Sequence, residues 1–506
     1  MRSSETFNGT RISQMCCEYL ATPLGIDERE PRLSWAIESN RRGARQVAWQ
    51  VGVASAARRL ANRRDWDLWD SSRVENNQTT HIVYAGRPLR SRQECHWRVL
   101  VWDETGKMTR SDPSFWTMGL LEKRNWRAHW IAANGEIIRR DNEAIAPTLT
   151  EPGTPAFFRK KFKIAASVKR ATVYASARGL IELRLNGQRV GPDIFAPEWT
   201  DYEKRIQYRT YDVTRLIGRG WNVLGAILGD GWWSGFVGWQ ETRARYGSLE
   251  NSLLVQLEVE LAGGRRVMVG TDKTWACNTG PILSSDFMMG EIYDARREHN
   301  GWDTAAYSGK AWLAARRVAE PSAPLVAQRS EPVRITQTIK PISVNKLRPG
   351  VFIYDLGQNI TGWARLRIRA HPGARIQIRH GEQLTPNGAL YTENLRRARA
   401  TDVYICKGMG REIWEPRFTF HGFQFVELSG LATADKNAVT GCVVHSATPP
   451  AGRFECSDAR VNRLWLNGLW SQRDNFLSVP TDCPQRDERL GWMGDAQVFL
   501  RTATYN

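Results

Sequence analysis

Apolar residues recur at every second position through most of this chain, and turn-forming residues interrupt the runs at short intervals. Val47, Trp49, Val51 and Val53 alternate in this way, and so do Trp97, Val99 and Val101. A period of two puts alternate side chains on opposite faces of an extended strand, so both segments are predicted as half-buried strands. Ile181, Leu183 and Leu185 run into Asn186-Gly187 and then Arg189-Val190. Asn-Gly accepts the two positive φ angles of a type I′ turn, which predicts a tight hairpin. Further hairpins are predicted from Val255–Leu261 through Gly263-Gly264 to Val267 and Val269, and from Leu366 and Ile368 through Pro372-Gly373 to Ile376 and Ile378. Short strands with frequent turns mean β-sandwiches rather than βαβ units.

The pattern changes near residue 450. Pro449-Pro450 precedes Ser457, a candidate N-cap, after which Val461, Leu464, Trp465 and Leu469 fall on one helical face. A second helix is predicted near Asp495, carrying Ala496, Val498, Phe499 and Ala503. At 506 residues the chain needs several cores. The predicted division is a first sandwich over 1–120, a second β-domain over 121–325, a third over 326–449 and a helical segment over 450–506. The proline-punctuated stretch 317–345 is expected to link the second and third.

Composition narrows the function classes. Lys and Arg outnumber Asp and Glu by 71 to 53, and there are 22 tryptophans. Basic and aromatic residues together suit a nucleic-acid surface, a sugar-binding surface, or ordinary sandwich cores with a solvated exterior. The Arg and Lys doublets are scattered, with no continuous basic helix, so no specific nucleic-acid partner is expected. No run of about 18 apolar residues occurs, which argues against a membrane-spanning helix. The N-terminus MRSSETFNGTRISQMCCEYL lacks the apolar core of a secretory leader, so the expected compartment is the cytoplasm. Eight scattered cysteines form no C-x-x-C pair and the eight histidines show no metal-ligand spacing, so no metal is expected. The paired indoles of Gly229-Asp230-Gly231-Trp232-Trp233 are either an accessory sugar platform or a core turn, and a core role is favoured. His421 is expected in a core.

Chemistry concentrates in residues 482–495, Asp-Cys-Pro-Gln-Arg-Asp-Glu-Arg-Leu-Gly-Trp-Met-Gly-Asp. Glycoside cleavage needs one carboxylic acid to protonate the leaving oxygen and a second carboxylate on the other face of the sugar. Neighbouring carboxylates push an acid's pKa up while a nearby arginine pulls it down, so alternation of the two sets different protonation states. Trp492 is placed to wall a sugar subsite. Read as spacing alone, such a run is more often a surface ion-pair cluster.

The run DCPQRDERLGWMGDAQVF resembles the hallmark of the bacterial α-L-rhamnosidases of glycoside hydrolase family 78. PRLSW with CHWRVLVWD resembles that family's fibronectin-like N-terminal sandwich. LNGQRVG, FAPEWTDYEKRIQYRTYDVT and GDGWWSG resemble its accessory jelly-roll, a possible carbohydrate-binding domain. YDLGQNITGWARLRI, HGEQL, TDVYICKG and WEPRFTFHGFQFVELSG resemble the β-domain before the catalytic barrel. The resemblance implies a mainly β protein, with several β-sandwich or jelly-roll domains followed by the first helices of an (α/α)6 barrel. It implies an inverting O-glycosyl hydrolase that releases terminal non-reducing α-L-rhamnose from an oligosaccharide or glycoside, with water as nucleophile and no cofactor. By motif, Glu488 matches the general acid; Asp482, Arg486 and Trp492 match residues of the rhamnose subsite, and Asp495 matches a further active-site acid. Only 56 residues follow Pro450, whereas six helical hairpins need on the order of 300. The expectation is therefore a C-terminally truncated barrel that lacks its general base and is inactive by itself. The alternative is a non-catalytic carbohydrate-binding β-sandwich protein.

Overall fold

The computed structural model describes residues 9–433 and 435–506. The first eight residues of the segment read above for a leader therefore lie outside it. Strands dominate up to residue 446, and two longer helices close the chain. Residues 9–127, with the short pieces 209–212 and 326–329, form one compact unit, and the remaining described residues form a second.

The first unit contains a three-stranded sheet in the order Thr10–Cys17, Arg32–Ser39, Ile82–Val83, and a five-stranded sheet centred on Gln46–Ala54 and Glu94–Asp103. Leu33 and Trp35 from one sheet share a core with Trp49, Val51, Val53, Trp97, Val99 and Val101 from the other. The alternation seen in the sequence is this shared face. The opposite face of Gln46–Ala54 is not solvated as expected, because Ala54 packs with Leu60, Trp66 and Leu100 in a second small core.

In the second unit, Leu180–Leu185 turns through Asn186 and Gly187, at φ 52° and 82°, into Gln188–Arg189, the predicted hairpin. Ser252–Leu261 pairs with Arg266–Gly270 as expected. The third predicted hairpin is corrected. Val351–Ile368 and Arg375–Gly381 are both strands, but His421–Ser429 lies between them and pairs with each. A Pro-Gly turn reverses the chain without fixing which strand lies alongside, and a third strand takes that place.

The sheet that carries the site has ten strands. Its order is Ile282–Asp286, Gly290–Asp294, Thr401–Ile405, Arg375–Gly381, His421–Ser429, Val351–Ile368, Val439–Ser446, Val333–Ile339, with two more on Val351–Ile368. Val333–Ile339 lies inside the stretch expected to be a linker; its prolines bound the strand rather than exclude it. The central 18-residue strand breaks register between Asp355 and Ile360, with Gly357 at φ 69° in the break. Gly362 is required where the strand touches its neighbour, since a Cβ there would stand 1.8 Å from the Cys442 carbonyl oxygen.

The helix Ala459–Asn475 is capped by Asp458, whose side chain accepts from the Arg460 N–H, one residue after the expected Ser457. Its C-terminal end docks on the sheet: Asp474 accepts from Thr361 N at 2.9 Å, and Thr361 Oγ1 donates to the Asp474 carbonyl at 2.6 Å. The expected apolar stripe is covered only toward that end, for Val461 and Leu464 are exposed. The second helix runs Met493–Ala503 and ends before Asn506. No described helix is long and apolar enough to cross a membrane.

Candidate active site

The loop 481–492 joins the two helices and lies on the strand His421–Ser429. Gly422 makes this seating possible: a Cβ there would meet Pro484 Cγ at 2.7 Å and Gln485 Cβ at 2.9 Å. Beneath the loop, the buried Arg489 acts as a pin. Its Nη1 donates to the carbonyls of Phe287 and Phe420, both at 2.8 Å, its Nε and Nη2 donate to the loop carbonyls of Arg486 and Gln485, and its guanidinium lies over the Phe420 ring. Burial pushes Arg489 down to about 10, which still leaves it charged at neutral pH.

Above this pin the loop gathers four of the five predicted site residues around one carboxylate. Glu488 Oε1 accepts from Trp492 Nε1 at 3.0 Å. Its Oε2 accepts from Arg486 Nε at 3.1 Å and from Arg396 Nη2 at 3.0 Å. Asp482 pairs with Arg486 at 3.4 Å and accepts from the Leu490 N–H at 3.0 Å. Its carboxylate stands within 4.8 Å of the Glu488 carboxylate. Asp495 is the fifth. It sits exposed in the first turn of the helix Met493–Ala503 and helps line a cleft of about 430 Å³ with Asp482 and Trp492. Glu488 does not itself line this cleft; it is bonded to Trp492, which does, and its side chain is 14% exposed.

Of the two opposing influences read from the sequence, the arginines prevail at Glu488. Burial works to raise the Glu488 pKa, but the hydrogen bonds from Trp492, Arg396 and Arg486 outweigh it and hold the carboxyl below its ordinary value. Three donors on one carboxylate favour its charged form, so the cluster is an ion-pair network as well as a candidate site.

Arg396 is the residue the sequence reading missed. It belongs to Arg396-Arg397, one of the scattered basic doublets. Its Nη2 also reaches the Asp487 carbonyl at 3.0 Å and its Nε lies 2.6 Å from Asp487 Oδ1. Its backbone stands at φ 55°, ψ −111°, which side-chain-bearing residues rarely adopt, so this arginine is held against local preference. Also unforeseen is Trp239, whose indole stacks on that of Trp492 at 5.7 Å between centroids and 15° between planes. The only available signal was the glycine before it: Gly238, at φ 76°, donates its N–H to the Glu488 carbonyl at 3.1 Å.

Behind the loop, Asp474 is pushed up to about 8 by burial, with Glu382 adding to the rise and the Thr361 N–H opposing it. Burial also raises Glu382, against the pull of Asn359 and Arg486. Trp232 and Trp233 are buried, with Trp232 stacked on Trp199 at 5.9 Å and packed on Phe287, so this pair is core. His421 is fully buried, its Nε2 3.2 Å from both oxygens of Asp402, and its ring stacks on His380 at 4.1 Å. The fold thus assembles a His-Asp-His cluster that spacing along the sequence does not show. With the rings 20° from parallel, their in-plane lone pairs do not converge on one metal position.

Four family descriptions match the chain in order. They are a Rha78A-like N-terminal immunoglobulin domain over 12–122 and an α-L-rhamnosidase N-terminal domain over 166–337. A bacterial α-L-rhamnosidase concanavalin-like domain follows over 345–445, and a bacterial α-L-rhamnosidase 6 hairpin glycosidase domain over 449–506. Among curated relatives, an α-L-rhamnosidase of Streptomyces avermitilis is 35% identical, aligned to 98% of this chain and 63% of its own length. One of Formosa agariphila is 38% identical over 97% of this chain and 53% of its own. The solved structure of the Streptomyces avermitilis enzyme complexed with L-rhamnose superposes with a TM-score of 0.92 at 34% identity, covering 98% of this chain and 63% of the other. The α-L-rhamnosidase from Dictyoglumus thermophilum superposes with a TM-score of 0.91 at 36% identity, covering 99% and 56%. The chain spans between half and two thirds of the length of these relatives.

Proposed function

This chain belongs to the bacterial α-L-rhamnosidase family, and from that premise we propose that it carries the proton-donating part of an inverting glycoside hydrolase releasing terminal α-L-rhamnose. The observation that carries this reading is the closure of Asp482, Arg486 and Trp492 on the single carboxylate of Glu488. A departing alkoxide is a poor leaving group, and a carboxylic acid beside the glycosidic oxygen turns it into an alcohol. Glu488 is assigned that role. Arg486 and Asp482 offer a donor and an acceptor for sugar hydroxyls, Trp492 offers an indole for the apolar C–H face, and Asp495 closes the same cleft.

The ionised state of Glu488 sets a condition on this mechanism. The carboxyl must take up a proton before it can give one, and its three donors oppose that step. A rhamnoside whose hydroxyls draw Arg486 away removes one of the three and lifts the pKa toward a useful value. Asp482 is not assigned as the base. An inverting pair stands roughly 6.5–9.5 Å apart across the sugar, whereas Asp482 lies within 4.8 Å of Glu488 and shares its arginine. We place the water-activating carboxylate in the portion of the relatives that the match does not span, and in the helical barrel implied by the glycosidase-domain match.

The 506-residue chain is therefore expected to bind L-rhamnose and leave p-nitrophenyl α-L-rhamnopyranoside uncleaved. Release of p-nitrophenol by the purified chain, abolished in Glu488→Gln, overturns the assignment of the base. Rhamnose binding without turnover is also what a sugar-binding protein shows, and the paired state of Glu488 is the observation that favours this second reading. We place the chain in the cytoplasm on the scattered spacing of its eight cysteines, which suits a reducing compartment.

A further inference from the structure

The two exposed indoles beside Glu488 are fixed by the residue they flank. Trp492 donates its Nε1 to the Glu488 carboxylate. Trp239 comes from a loop some 250 positions earlier, yet Gly238 immediately before it donates to the Glu488 backbone carbonyl. The positive φ of Gly238 is open to glycine at little cost and strained for other residues. At its start the loop is held by Phe236 N on Asp286 Oδ2 at 2.9 Å, and beyond Trp239 by the Glu241–Arg397 ion pair. Trp239 is 50% and Trp492 40% exposed. An isolated exposed indole is unremarkable, but two stacked and nearly parallel ones, one of them bonded to a candidate proton donor, make an apolar ledge beside that carboxylate.

We propose that Trp239, supported by Trp492, is the platform for an aromatic leaving group attached to rhamnose. The inference rests on the rhamnosidase reading of Glu488 and extends it to the far side of the bond being broken. Glu488 must reach the bridging oxygen, so the group beyond that oxygen lies within reach of whatever flanks the carboxyl. Trp239 is a specificity-determining residue in this account and takes no part in proton transfer.

Binding of two probes to the 506-residue chain, p-nitrophenyl and methyl α-L-rhamnopyranoside, tests this by calorimetry. The chain should prefer the aryl probe by about three- to tenfold, the range expected for one aromatic stacking contact. Trp239→Ala should remove that preference while methyl rhamnoside affinity stays within about twofold, and Trp239→Tyr, which keeps a ring, should retain most of it. A preference that survives in Trp239→Ala, or equal weakening of both probes, overturns the ledge and leaves the rhamnose subsite standing. Failure of the unaltered chain to bind either probe overturns the subsite and the ledge together.

Discussion

Arg396 shows how far the charge on Glu488 depends on a residue 92 positions away. Its guanidinium is among the groups that hold the Glu488 carboxyl below its ordinary value. Removing it in Arg396→Ala should move that pKa upward, since only Trp492 and Arg486 then favour the charged form. The indole of Trp492 sits on the titrating carboxylate, so the fluorescence difference between the chain and its Trp492→Phe variant reports the transition. An acidic inflection that stays in place in Arg396→Ala would falsify the coupling. Arg489 makes a different point. It has carbonyl partners on both sides of the loop, so Arg489→Met leaves those acceptors facing an apolar side chain. A loss of about 1–3 kcal/mol in stability is expected, read as a lower denaturation midpoint in urea. The sequence showed the carboxylates and arginines of 482–495 as a cluster but not which arginine would be buried. Arg486 and Arg489 differ by three positions in one polar run, and only the packing of Phe287 and Phe420 distinguishes them.

The strand His421–Ser429 forms the floor on which the loop rests, and its neighbour Val351–Ile368 holds the helix before that loop. At Gly422 an added methyl has no room below Pro484 and Gln485. Gly422→Ala should cost about 1–3 kcal/mol in overpacking and weaken rhamnose binding at the same time, because the displaced segment carries Arg486 and Glu488. Asp474 pins the helix Ala459–Asn475 to the same sheet. Its folded pKa of about 8 lies above the ordinary carboxylate value, so the folded chain holds that proton more tightly than the unfolded chain. The stabilisation is fully present below about pH 4 and is lost as pH rises through 8. Asp474→Asn keeps an acceptor for the Thr361 N–H without the titration. It should flatten the decline in melting temperature between pH 5 and 8, and it should melt higher than the parent chain at pH 8. An unchanged pH profile would show that Asp474 is ionised in the fold. Period-two alternation made the strands legible. It did not reveal that His421–Ser429 separates Val351–Ile368 from Arg375–Gly381, because strand order depends on long-range pairing that a local pattern does not encode.

Across the whole molecule, basic residues outnumber acidic ones by 18, and the doublets that carry part of this excess are scattered along the chain rather than gathered into a stripe. In the doublets read from the sequence, Arg41 pairs with Asp103 and Glu104, Arg296 with Asp294, Arg297 with Asp141, Arg396 with Asp487 and Glu488, and Arg397 with Glu241. Adhesion to heparin or DNA should therefore be weak and should disappear by about 0.15 M salt, where charges more than about 8 Å apart are screened. Retention on DNA–cellulose at that ionic strength would point to a basic surface that these pairs do not explain. The bond from Gly238 to the backbone of Glu488 matters at this scale too. It makes the loop around Gly238 a jig for the segment that carries Glu488, so transplanting residues 449–506 onto a foreign β-scaffold would deliver that carboxylate at the wrong height. Chimeras of this chain with its relatives should exchange the two stretches as one cassette.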